Sequence, residues 1–191
     1  MVIKVSKERY GDGISITFPT TAAQAQKKLA GLEQPAGGSP VFIRGSGLAE
    51  HFAECLKLAD LTADAGIQKL NHLAGVEDQM SFQQYATCVG ALYVEQVESL
   101  DDVLRVASSL DRYEFIEDIP SDEELGRWLV EQGLAGVDFP DAVRPYLDYA
   151  RVGAEYHSVH GGAYIPQGYV TRRETGQVQA AGDQPGFVLT L

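Results

Sequence analysis

His157 and His160, with Glu155 just before them, have the residue types and spacing of metal ligands. A zinc-like site needs three or four such donors, and no second cluster in the chain supplies the rest. The Gly161-Gly162 turn that follows accounts for the local polarity. The run Arg44-Gly45-Ser46-Gly47-Leu48-Ala49-Glu50 has the outline of a dinucleotide loop after a strand, but Glu50 stands in the third glycine position and would oppose a pyrophosphate. Cys55 and Cys88 lie in apolar helical patterns, far apart and without a CxxC pair, which reads as burial in a reducing compartment rather than nucleophilic chemistry. A disulfide between them stays open at this level. His51 and His72 are isolated, and no GxSxG or Cys/His motif is present. Trp128 and the tyrosines could stack on bases, but the acids around them would repel phosphates. These readings give no catalytic residues, no metal and no cofactor. A small metal-dependent enzyme built on His157 and His160 is the least favoured function.

The chemistry that remains is charge. The chain carries 27 Asp+Glu against 15 Lys+Arg, a net of −12. Residues 1–76 hold seven acids and eight bases, residues 77–155 eighteen and five, and residues 156–191 two of each. Between 95 and 124 there are eleven acids and only Arg105 and Arg112 as bases. Such a chain is repelled by nucleic acid and anionic membranes and attracted to basic surfaces. Asp101 and Asp102 follow a capping Ser99, and Asp122, Glu123 and Glu124 follow Ser121. Acids in a first helical turn face the positive end of the helix dipole and stabilise it by ~0.3–1 kcal/mol each. Glu95, Glu98, Asp111, Glu114, Glu117, Asp118, Glu131, Asp138, Asp141, Asp148 and Glu155 have few lysines nearby to neutralise them. Duplex DNA carries one charge per ~1.7 Å of axis, and carboxylates three or four apart on a helix lie roughly 5–6 Å apart. Strings of them across successive helices approximate a phosphate line. All sixteen acids are therefore candidates for a partner-binding surface that imitates DNA.

The elements that must position these acids are mixed. With 191 residues and an apolar share of 45%, a sizeable core can form in one large domain or a few small ones. Val2–Val5 and Ile14–Phe18 flank Gly11-Asp12-Gly13 as a hairpin, Thr20 or Thr21 caps a helix to Leu32, and Val41–Ile43 reads as a strand. Residues 31–40 are a turn-rich break, and 47–64 are ambiguous. Thr62 opens a helix to about Ala74. Ser81 with Gln84, Ser99 with Asp102 and Ser121 with Glu124 form three capping boxes. Tyr113–Ile116 reads as a strand, Gly133 ends the helix begun at Ser121, Pro140 starts a helix to about Tyr156, and 161–170 read as a hairpin or edge strand. The fold class is α+β, in two or three small lobes: a mixed α/β lobe over 1–60, a helical acidic lobe over 61–110, an α+β acidic lobe over 111–173, and a loose tail over 174–191. No segment is apolar enough to span a membrane, and the first ten residues hold no signal-like run, so the expected location is cytoplasmic.

Several runs in the second half resemble the ArdA antirestriction family. They are Leu110-Asp111-Arg112-Tyr113-Glu114-Phe115-Ile116, then Ser121-Asp122-Glu123-Glu124-Leu125-Gly126-Arg127-Trp128-Leu129-Val130, then Arg144-Pro145-Tyr146-Leu147-Asp148-Tyr149-Ala150-Arg151-Val152-Gly153. Gly161-Gly162-Ala163-Tyr164 and Gly168-Tyr169-Val170 follow in the same order, and Leu70-Asn71-His72-Leu73-Ala74 matches an earlier helical element. The resemblance covers about residues 60–170, with a looser echo in the first forty. It implies an elongated, multi-lobed protein that catalyses nothing, mimics DNA and occupies the DNA-binding core of type I restriction–modification enzymes, often as a homodimer, without binding nucleic acid or membrane itself. It places the acidic stretch on 95–155. The first third departs from the pattern in not being acidic, and Arg127, Arg144 and Arg151 interrupt the run. The alternative function is an acidic protein-interaction module of a mobile element that docks another basic host protein without imitating DNA.

Overall fold

The computed structural model describes residues 1–9, 11–32, 41–137 and 139–173. The expected tail over 174–191, most of the turn-rich break, and Asp138 lie outside the described residues. The protein is α+β and divides into two compact units, Met1–Leu110 and Asp111–Leu191.

The first unit is built on a three-stranded antiparallel sheet. Strand β1 (Val2–Ser6) is central, flanked by β2 (Gly13–Thr17) and β3 (Phe42–Ser46). β1 alternates up to its last residue: Ile3 and Val5 are fully buried and Val2 and Lys4 face outward half-exposed, but Ser6 at its end is buried too. Helix α1 (Ala22–Leu29) starts at a full capping box on Thr21 and Gln24 and buries Ala22, Ala25 and Leu29. The ambiguous stretch after β3 resolves into three short 3₁₀ turns, Gly47–His51, Ala53–Cys55 and Leu58–Leu61. Helix α2 (Asp64–Gln79) begins after Ala63 and runs further than expected. Thr62 does not cap it, because its hydroxyl instead donates back to the carbonyls of Leu58 and Ala59. Asn71 on α2 holds the turn before α1, its side chain accepting from Thr20 N at 2.8 Å and donating to Thr20 O at 2.7 Å. Helix α3 (Phe82–Val94) follows the reciprocal Ser81–Gln84 box and buries Ala86 to Leu92 without a break. Helix α4 (Leu100–Ala107) is strongly amphipathic and buries Leu100, Val103 and Val106. No helix among the described residues is long and apolar enough to cross a membrane.

In the second unit the sheet order is β4–β6–β5, all antiparallel: β4 (Tyr113–Glu117), β5 (Ala163–Ile165) and β6 (Gly168–Arg172). Helices α5 (Asp122–Glu131) and α6 (Tyr149–His160) pack on each other and, with the sheet, enclose Ile116, Leu125, Leu129, Val152 and Tyr169. The helix expected from Pro140 starts nine residues later. Pro145 has no N–H to donate to a helix begun at Pro140, and only a 3₁₀ turn (Arg144–Tyr146) forms before Asp148 caps α6 through Arg151 N at 3.1 Å. Gly126 and Gly153 let the two helices touch backbone to backbone. A Cβ on Gly126 would stand 2.8 Å from the carbonyl carbon of Tyr149, and one on Gly153 would stand 2.7 Å from that of Asp122.

Candidate functional site

Fifteen of the sixteen candidate acids lie among the described residues, and none of the fifteen is buried. They separate by what their carboxylates touch. Asp102 receives the Ser99 hydroxyl at 2.7 Å and faces Arg105 at 3.3 Å, and these contacts hold its pKa below the ordinary carboxylate value. The Ser99 box is half-formed, since Ser99 Oγ accepts from Asp102 N at 3.3 Å but Asp102 turns to the hydroxyl rather than the backbone. Glu124 likewise receives the Ser121 hydroxyl, which depresses its pKa. Glu95 meets Arg105 at 3.8 Å, Asp101 meets Lys69 at 2.6 Å, Glu123 meets Arg127 at 3.1 Å and Asp141 meets Arg144 at 3.4 Å. Arg151 lies 3.8 Å from Glu155, and Asp148 is spent on the α6 cap.

Asp122 is a structural node. It accepts the Tyr164 hydroxyl at 2.6 Å and stands 3.4 Å from His157 Nδ1, tying α5, α6 and β5 together. Burial first, and then the Asp122 contact, push the Tyr164 phenol well above its ordinary pKa. His157 also lies edge-on to Tyr164 and Tyr169, with ring centroids 5.1 and 5.7 Å away. His160 instead stacks on Tyr156 at 4.2 Å. The residues that looked like metal ligands are thus directed to separate partners. Among the described residues, no group of three His, Cys, Asp or Glu is arranged to hold a metal ion.

Glu98, Asp111, Glu114, Glu117, Asp118 and Glu131 have no side-chain partner among the described residues. Four of them fall within 111–118, on β4 and its flanks, and β4 is an edge of its sheet. Glu114 and Glu117 are exposed, and Asp118 follows in the left-handed region at φ 59°. That geometry costs a non-glycine residue energy, although Asp tolerates it better than most. Glu131 ends α5, where the helix dipole opposes an acid. Local stability accounts for neither placement. Cations are not absent here: Arg112 precedes β4, and the register sets Tyr113 opposite Arg172, so the acid excess lies toward the Glu117 end of the strand.

The glycine loop after β3 is closed to phosphate from within. Glu77 Oε1 accepts Leu48 N at 2.7 Å, filling the anion position, and a Cβ on Gly47 (φ 65°) would collide with that carboxylate. Cys55 and Cys88 are both free thiols, and burial pushes them up to about 11 and about 12. A thiol reagent at pH 8 is therefore expected to label the native protein roughly a hundredfold or more slower than the urea-unfolded chain. Fast labelling of Cys88 in the native state would contradict its burial. His51, isolated in sequence, has its Nδ1 3.0 Å from the Tyr93 hydroxyl. Comparison with protein-family models gives no match for this chain, and comparison with curated proteins gives none either.

Proposed function

We propose that this protein is an antirestriction factor of the ArdA kind, a DNA mimic whose carboxylates occupy the phosphate sites in the DNA-binding groove of a type I restriction–modification enzyme. One observation carries the reading: six exposed acids without partners among the described residues, four of them within 111–118 on and beside an edge strand of the second sheet. The concentration of the net charge in 77–155 and the ordered motifs between residues 110 and 170 support it. A strand advances about 3.3 Å per residue, so those four charges are sparser than the ~3.4 Å spacing along one DNA strand. Fewer counterions condense on such a line, and fewer are released on binding. The test is competition: the protein is titrated into a type I enzyme bound to labelled duplex DNA at two salt concentrations. The inhibition constant of the protein, corrected for the weakening of the DNA itself, should rise with salt, along a shallower slope than the dissociation constant of the DNA. No displacement at either concentration refutes the proposal.

A second reading has its own observation. Leu134, Val137, Val143 and Tyr146 are exposed, Tyr146 at 86%, within the same acidic unit. An acidic protein-interaction module docking a basic host protein through apolar side chains would use them, and its binding would depend weakly on salt.

A further inference from the structure

The outer face of the first sheet carries a row of donors across its three strands. The register sets Ser15 on β2 and Arg44 on β3 directly opposite Lys4 on β1. Opposed Cβ atoms in such a sheet are about 4.5–5.5 Å apart, so Ser15, Lys4 and Arg44 leave the sheet side by side. Thr17 and Ser46, both exposed, flank Val2 in the next row on the same face. Lys28 reaches the β2 edge from α1, its Nζ 3.2 Å from Ser15 O. Like charges directly opposite on a sheet repel, and here no acid relieves them. Among the described residues neither Lys4 nor Arg44 has an ion-pair partner, and Glu8 and Asp12, in the nearby β1–β2 turn, pair with neither. Arg44 donates one Nη2 bond to Gly11 O at 3.1 Å, while its Nε is buried and has no acceptor. A buried, unsatisfied guanidinium nitrogen is costly unless it finds an acceptor.

We propose that this face binds an oxyanion, a phosphate or a carboxylate, held by Lys4, the Ser15 hydroxyl and Arg44, whose guanidinium turns outward to offer the ligand the Nε that lacks an acceptor. The site lies in the first unit, on the 1–76 segment where acids and bases nearly balance, and is independent of the proposed mimicry. It gives that unit a binding role for an anionic group on a small molecule or a partner.

The test is an NMR titration of the full ¹⁵N-labelled chain with inorganic phosphate, and separately with succinate, each at constant ionic strength against chloride. Saturable shifts of the Arg44 Nε–H and of the Lys4 and Ser15 amides are expected with at least one of the two. Binding of phosphate alone identifies a phosphate site, and binding of both identifies a general oxyanion site. Lys4→Met and Arg44→Gln should each weaken binding about tenfold or more, and their own spectra show whether the sheet is intact. If neither anion shifts these signals beyond the chloride control, or if both variants bind like the unchanged protein, the proposal is overturned.

Discussion

Replacing Gly153 by alanine should destabilise the second unit by about 1–3 kcal/mol, and replacing it by valine should abolish its cooperative unfolding. The sign is the informative part. Alanine in place of glycine inside a helix ordinarily stabilises by roughly 0.5–1 kcal/mol, because glycine loses more backbone freedom on folding. Gly75 on α2 is such a position: it is exposed, and a Cβ there would meet nothing within 4 Å. Gly75→Ala should therefore raise stability. At Gly153 a Cβ would lie 2.7 Å from the Asp122 carbonyl carbon and 2.9 Å from Gly126 N. Backbone cannot rotate aside as a side chain can, so α5 and α6 must separate. Separation would open the core around Leu125, Leu129 and Val152 and disturb the Asp122–Tyr164 hydrogen bond. Trp128, the only tryptophan in the chain, lies on α5 against this core, so urea unfolding followed by its fluorescence reports on this unit. A Gly153→Ala protein as stable as its parent would mean that the crossing is not close-packed.

The glycine crossing also marks where sequence reasoning stops. Signals confined to a few residues are legible: the Ser81–Gln84 box, the Thr21 cap, the 161–170 hairpin and the end of α5 at Gly133 depend on chemistry three or four positions away. The start of α6 is also local, but two signals compete there. Pro140 invites a helix, while Pro145 and the Asp148 cap move it downstream. What a carboxylate does is only partly local. Asp122 follows Ser121 like any first-turn acid, yet its Tyr164 partner is 42 residues away. Glu77 caps a turn 29 residues upstream, which no spacing rule reveals. Among the acids of 95–155, Asp102, Glu123, Asp141 and Glu155 meet an arginine three or four positions away, whereas Asp101 receives Lys69 only through the fold. The structure separates them, sending Arg105 to Glu95 and Asp102 and leaving Asp111, Glu114, Glu117 and Asp118 without partners among the described residues.

That separation allows position to be tested apart from net charge. Asp111→Lys, Glu114→Lys, Glu117→Lys and Asp118→Lys combined change the formal charge by eight, from −12 to −4. Asp101→Lys, Glu123→Lys, Asp141→Lys and Glu155→Lys combined make the same change at acids that already have a cation of their own. If only long-range attraction drew the protein to a basic groove, the two quartets would weaken binding equally. If the 111–118 edge lies in the groove, its quartet removes four attractions and adds four repulsions at contact, and the apparent affinity in the competition assay should fall on the order of a hundredfold or more. The other quartet should lose much less, and its loss should vanish at high salt, where distant charges are screened. Circular dichroism of both proteins shows whether the fold is kept, and the edge quartet is the safer of the two because it breaks no ion pair within the described residues. Equal losses would place the docking surface elsewhere in the acidic segment, and unchanged displacement by the edge quartet would end the case for mimicry through β4.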